Sequence, residues 1–129
     1  MTYDNFTIKA QEAILSAQRI AANFDQQQVD TTHLIRGIMD TDENVTTFIL
    51  QKSNIDVSNL RKKLDDIIRT YPRVEGTDKQ FLTDSANKAL SAAKKMLPEF
   101  GDEFISIELI LLGIFRGSDK GAVLLRGLG

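Results

Sequence analysis

Phe6-Thr7-Ile8-Lys9-Ala10-Gln11-Glu12-Ala13-Ile14-Leu15-Ser16-Ala17 returns 76 residues later as Leu82-Thr83-Asp84-Ser85-Ala86-Asn87-Lys88-Ala89-Leu90-Ser91-Ala92-Ala93. Thr7 falls on Thr83, and Ala10, Ala13 and Ala17 fall on Ala86, Ala89 and Ala93. Further on, Phe24 meets Phe100, Gly37 meets Gly113 and Ile38 meets Ile114. Similar pairs fill the gaps: Phe6 with Leu82, Ile14 with Leu90, Ile20 with Met96, Val29 with Ile105. No insertion is needed between residues 6 and 39. Self-similarity at one fixed offset is the mark of a duplicated structural unit.

Each copy reads as helices. Phe6, Ala10, Ala13, Ile14, Ala17, Ile20, Ala21 and Phe24 recur at three- and four-residue steps, which is one apolar face of a helix. Thr7 is its expected N-cap, because a hydroxyl oxygen can accept from a free first-turn amide. The second copy repeats this from Thr83 through Leu97, and Pro98 predicts a bend or stop there. A second helix follows in each copy, capped by Asp30 and by Ser106. Ile107 to Phe115 is apolar nearly all round and is expected at the centre. Third helices are expected at Glu43 to Lys52 and Asp119 to Arg126. A fourth, Val57 to Arg69, should turn Leu60, Leu64, Ile67 and Ile68 inward, with Arg61, Lys62, Lys63, Asp65 and Asp66 outward.

The predicted fold is therefore all-α: one helical bundle of seven to eight helices over residues 1–129, in two units related by an approximate twofold axis. Repeat one spans 6–70, a connector carrying Pro72 and Gly76 spans 71–80, and repeat two spans 81–129. No counterpart of the fourth helix lies within repeat two, so that repeat is expected to be truncated before its last helix.

Composition narrows the function. Sixteen basic and 18 acidic residues leave a net charge of −2 with no basic stripe, so no nucleic-acid footprint is expected. The longest apolar run, Leu109 to Phe115, is broken only by Gly113 and is far too short to span a bilayer. The opening Met1-Thr2-Tyr3-Asp4-Asn5 has no basic region followed by an apolar run, so no signal peptide is expected, and a cytoplasmic location is. There is no Cys, hence no disulfide or thiolate metal site. His33 is the only His, without partners at ligand spacing, and reads as structural. No G-x-x-x-x-G-K-[ST] phosphate loop is present; Gly117-Ser118-Asp119-Lys120-Gly121 has the wrong spacing. No catalytic constellation is found, which leaves a binding module.

Phe6 to Ala13, Val29-Asp30-Thr31-Thr32-His33-Leu34 and the duplication itself resemble the N-terminal domains of the Clp family. Phe100-Gly101-Asp102-Glu103-Phe104-Ile105-Ser106-Ile107-Glu108-Leu109, with the connector Tyr71-Pro72-Arg73-Val74-Glu75-Gly76, is similar to the ClpB-type branch, the AAA+ protein disaggregases. The resemblance covers essentially the whole chain. It implies a mobile domain tethered to a hexameric ATPase, which engages unfolded or aggregated polypeptide and passes it to the ATPase modules. ATP and magnesium would belong to those downstream modules, with none in this domain, and a DnaK-type co-chaperone system would be a possible partner of the full-length protein. Thr7, Asp102 and Glu108 match polar positions that this branch uses for clients. Leu90, Ile105 and Leu109 match an apolar groove, and Ala92 stands where relatives often carry a larger apolar residue.

The other implied reading is an adaptor-binding N-domain of the ClpC/ClpA type, partnered with a protease. In the ClpC branch, phosphoarginine recognition uses an acid before the helix-two His in both copies. Here Glu108 supplies one, but Thr32 stands at the other. Each polar candidate also has a purely structural reading: Thr7 as a helix cap, Asp102 as a loop anchor, and Glu108 as a charge favoured at a helix start.

Overall fold

A computed structural model describes residues 4–76 and 79–128, save the side chain of Val45. Its elements are α1 (Ile8–Asn23), β1 (Gln28–Val29), α2 (Thr31–Thr41), α3 (Glu43–Lys52), α4 (Val57–Arg69), β2 (Phe81–Leu82), α5 (Asp84–Lys95), α6 (Leu97–Phe100), α7 (Ile107–Phe115) and α8 (Lys120–Leu128). The fold is all-α, as the periodicity predicts. Truncation of repeat two stands as an expectation.

The repeated residues are those that bring helices together. A methyl group on Gly37 of α2 would sit 2.5 Å from the Ala13 carbonyl oxygen and 2.8 Å from the Ala17 nitrogen of α1. One on Gly113 of α7 would sit 2.5 Å from the Ala89 carbonyl oxygen and 3.2 Å from the Ala93 nitrogen of α5. Both distances fall inside van der Waals contact, so only glycine permits these crossings. Small residues on the partner helix let the backbones approach. The same Ala-Ala-Gly set thus builds the same helix pair twice.

Local signals repeat as well. The Thr7 and Thr83 hydroxyls each accept from the amide three residues on, at 3.1 Å from Ala10 and from Ala86. α1 ends with Asp25 at φ +57°, where the second copy has Gly101 at φ +67°. The next amides close the same turn, Gln26 N–H onto the Ala21 carbonyl at 2.8 Å and Asp102 N–H onto the Leu97 carbonyl at 2.9 Å. This is the left-handed ending that satisfies free helix carbonyls. α5 ends at Lys95, just before Pro98, and a separate short helix follows. Pro98 occupies an opening position of the short α6, where its missing N–H costs no hydrogen bond.

The halves are joined crosswise. Val29 of the first copy pairs in parallel with Leu82 of the second, and Phe6 of the first pairs with Ile105 of the second. The 76-residue offset maps Phe6 onto Leu82 and Val29 onto Ile105. The two pairings are therefore one pairing related by the twofold axis. Phe6, Val29 and Ile105 are buried there, in a core continuous across both copies.

α4 has no counterpart among the described residues. Its Leu60, Leu64 and Ile68 are fully buried, each worth about 1.5–3 kcal/mol. Ile67, expected inward, is only half-buried and faces α8 across a shallow depression. Asp65, expected outward, turns to Arg36 and pairs with it at 3.0 Å. Arg61 likewise reaches Asp40 at 3.1 Å. A helix docked along α2 brings its flanking charges within reach of that helix, which one-helix periodicity does not reveal.

Candidate functional site

Two polar clusters lie at equivalent places on the two halves. The first is built on residues 26–33. Asp30 N–H donates to His33 Nδ1 at 2.9 Å. This makes Nε2 the protonated nitrogen, and it donates to Gln26 Oε1 at 2.7 Å. Gln26 Nε2 in turn donates to the Ile68 carbonyl near the end of α4 at 2.5 Å. The Tyr71 hydroxyl donates to Asp30 Oδ2 at 2.9 Å and accepts from Thr32 Oγ1 at 2.8 Å. Thr83 Oγ1 donates to the other Asp30 oxygen at 2.8 Å, tying the second copy to the first. Thr31 adds a bond to Asp119.

This cluster is closed to water. Gln26, Thr31, Thr32 and His33 are buried, and every buried side-chain polar atom is satisfied among the described residues. Burial lowers the His33 pKa to about 4, against a smaller opposing pull from Asp30. Burial also raises the Tyr71 phenol; the Thr32 bond opposes this, while Asp30 and Asp119 add to it. His33 is therefore neutral near pH 7, as its structural reading requires.

The second cluster holds the expected client residues. Thr7 N–H donates to the Ile105 carbonyl at 2.9 Å, and Ile105 N–H donates to the Asn5 carbonyl at 2.8 Å. The bridge places the start of α1 against the strand-like residues between Asp102 and Glu108. Asp102 and Glu108 are exposed, and neither carboxylate has a bonding partner among the described residues. The Thr7 oxygen caps α1, but its proton has no acceptor among those residues. Thr7 thus lies beside Ile105, which is three residues from Asp102 and three from Glu108 along the chain.

Three of the four apolar candidates are buried. Leu90 and Ile105 are 0% exposed and Leu109 5%, so these three belong to the core under the site. They are inward because α7 packs on both α1 and α5 and because Ile105 enters the crosswise pairing. Ala92 is half-buried and lines a small depression with Lys88, Gly113 and Arg116, toward the C-terminal end of α7. Glu108 lies at the opposite end of that helix. The exposed apolar residues flanking the Thr7 cluster are Ile8, 75% exposed, and Phe104, 52% exposed. Both carry a sequence signal: Ile8 is off the buried stripe of α1, and Phe104 directly follows the acidic pair Asp102-Glu103.

The two clusters are counterparts. Moving back by 76 takes Asp102 to Gln26 and Glu108 to Thr32; moving forward takes Thr7 to Thr83. Gln26, Thr32 and Thr83 are tied into the first cluster, while Asp102 and Glu108 have no side-chain bond among the described residues and Thr7 only its helix cap and its backbone bond to Ile105. Thr32, the second position for a phosphoarginine-reading acid, is buried and bonded to Tyr71.

A doubled helical unit with the same helix crossing built in each half defines a two-repeat helical domain. The profile of the "Clp repeat (R) N-terminal domain" family matches residues 5–128, and the chain belongs to that family. Among its relatives, the chaperone protein ClpB of Bacteroides thetaiotaomicron is 34% identical over 129 residues. ClpB of Porphyromonas gingivalis is 30% identical over 129 residues. Each match takes in 100% of this chain and 15% of the relative, so the chain spans about 15% of their length. Among solved structures, the Hsp104 N-terminal domain of Candida albicans superposes with a TM-score of 0.85 at 16% identity, over 98% of this chain and 83% of that one. The N-terminal domain of the chaperone ClpD from Arabidopsis thaliana gives 0.76 at 22% identity, over 98% and 87%. At these identities the superpositions show the fold. Among the described residues, no helix is long and apolar enough to cross a membrane.

Proposed function

We propose that this chain is the client-binding N-domain of a ClpB-type disaggregase chaperone, and that it engages unfolded or aggregated polypeptide around Thr7, Asp102 and Glu108. The observation that carries this reading is the free state of that cluster beside its tied counterpart. The Thr7 hydroxyl can donate to a client backbone carbonyl, and the two carboxylates can accept from backbone amides or cationic side chains. Ile8 and Phe104 offer adjacent apolar surface, with about 25 cal/mol gained per Å² buried. Neither term reads side-chain identity closely, so many sequences are tolerated. Ordering a flexible client keeps the affinity low.

On this reading ATP, magnesium and hexamer contacts belong to AAA+ modules outside these residues, cooperation with a DnaK-type system belongs to the whole machine, and the compartment is the cytoplasm. The test titrates the domain with a permanently unfolded model protein and follows amide NMR shifts. Shifts should cluster at Thr7, Ile8 and residues 102–108, and Asp102→Asn with Glu108→Gln should weaken them several-fold. Shifts scattered over the surface, or none at millimolar client, refute the site.

A further inference from the structure

A depression of about 460 Å³ lies at the β1–β2 pair, lined by Gln27, Gln28, Phe81, Leu82, Thr83 and Asp84. The 76-residue offset makes these the counterparts of Glu103, Phe104, Asn5, Phe6, Thr7 and Ile8, the surroundings of Thr7. The two patches differ at the backbone. β2 bonds β1 through the amides of Phe81 and Thr83, onto the Gln27 carbonyl at 2.8 Å and the Val29 carbonyl at 3.0 Å. Successive residues of a strand direct their backbone groups to opposite sides, so the N–H and C=O of Leu82 point away from β1. No described residue bonds them. In the other half the equivalent carbonyl, that of Phe6, accepts from Gln11 Nε2 at 3.0 Å. Asn87 stands at the Gln11 position, with a shorter side chain that is exposed and bonds nothing among the described residues. One copy closes its edge with a side chain, and the other leaves it open.

We propose that the Leu82 edge of β2 takes up an extended, uncharged segment of a client polypeptide as a third strand. This rests on the client reading for the source of the segment, and on separate residues for the site. Main-chain groups pair with any sequence, which suits a ligand without a fixed one. Phe81, 55% exposed, gives the added strand an aromatic ring to pack on, where the other half has Asn5. The side-chain amides of Gln27 and Gln28 are unbonded among the described residues, and each both donates and accepts, as a peptide group does. Asp84 is the one charged residue among those lining the depression, so a neutral segment fits it better than an acidic one. A strand as short as Phe81–Leu82 makes few bonds, so the edge holds a client weakly. It adds most when one long chain reaches both this edge and Thr7.

The test titrates the 129-residue chain with a short, capped, uncharged peptide of alternating Val and Thr around a central Phe, and follows amide NMR shifts and exchange. Shifts should cluster at Gln28 and residues 81–83, and the Leu82 amide should exchange about tenfold more slowly with peptide bound. The same peptide N-methylated at every residue keeps its side chains but has no N–H to give, and should bind about tenfold more weakly. Asn87→Gln supplies the side chain that closes the edge in the other half. It should weaken binding by a similar factor and leave urea unfolding unchanged. Phe81→Ser should weaken binding several-fold, and Asp102→Asn with Glu108→Gln should leave it unaltered.

The proposal is overturned if the N-methylated peptide binds as tightly as its parent, or if Asn87→Gln binds undiminished. Shifts confined to Thr7 and residues 102–108 overturn it while keeping the client reading. Shifts at residues 81–83 on raising the protein concentration without peptide also overturn it, since a second copy then occupies the edge. Shifts at residues 81–83 that depend on the peptide N–H groups, with none around Thr7, support this edge and refute the Thr7 site alone.

Discussion

The two halves share a backbone plan and differ in what covers it. In the first, α4 and Tyr71 close over α2, and the polar residues at the start of α2 are drawn into a buried network. In the second, the equivalent residues of α7 face outward, and Gln26 and Thr32 are replaced by Asp102 and Glu108. A buried amide or hydroxyl can be satisfied by neutral neighbours. A carboxylate is far costlier to bury unpaired and is kept where water reaches it. The substitution therefore follows the exposure among the described residues: neutral groups where α4 covers them, acids where no described helix does.

The comparison can be tested at the positions that both halves share. The largest effect is expected at the helix crossings. Gly37→Ala and Gly113→Ala should each cost about 3 kcal/mol or more in urea unfolding, because backbone atoms of the partner helix must move. Gly37→Ala should be the worse of the two, since its second contact is 2.8 Å against 3.2 Å. A gain in stability, as helix propensity alone would give, would break the claim that one crossing is built twice.

Acid should separate the halves next. The folded His33 titrates near 4 and the unfolded one near the ordinary 6.5, so the unfolded state binds more protons between these values. The contribution of neutral His33 is complete above pH 6.5 and is lost as the pH falls toward 4, amounting to about 3 kcal/mol. His33→Gln should flatten that part of the stability profile. Because Leu109 stands at the equivalent place, amide exchange near pH 4.5 should rise first around α2 and α4 and later around α7.

The paired caps give a smaller contrast. Thr7→Ala removes one cap and should cost about 1 kcal/mol. Thr83→Ala removes a cap and the bond to Asp30, and should cost about 2 kcal/mol. Equal losses would mean that the link between the halves adds nothing. The smallest effect belongs to the edge of α4. Asp65→Asn loosens a partly exposed ion pair with Arg36 and should cost below about 1 kcal/mol, shrinking further in high salt.

The architecture was legible because it depends on spacing. Ala13, Ala17 and Gly37 recur at one offset with their counterparts, and apolar steps of three and four mark the helices. The crosswise pairing was not legible. It joins Phe6 to Ile105 and Val29 to Leu82 across the chain, and two-residue strands carry no periodicity to read. The polar candidates Thr7, Asp102 and Glu108 came from the family resemblance, and the bond from Thr7 N–H to the Ile105 carbonyl sets Thr7 beside the stretch that carries the other two. The apolar candidates Leu90, Ile105 and Leu109 came from the same resemblance, and crosswise pairing and the packing of α7 against two helices bury them.

By itself the sequence determined the elements, the duplication and the absence of a phosphate-binding loop, because caps, periods and small-residue positions act within one helix or between neighbouring ones. The tertiary structure decided which copy of each residue is covered. Two equivalent positions have the same local chemistry, and only a helix arriving from elsewhere in the chain, as α4 does, makes one interior and leaves the other to solvent.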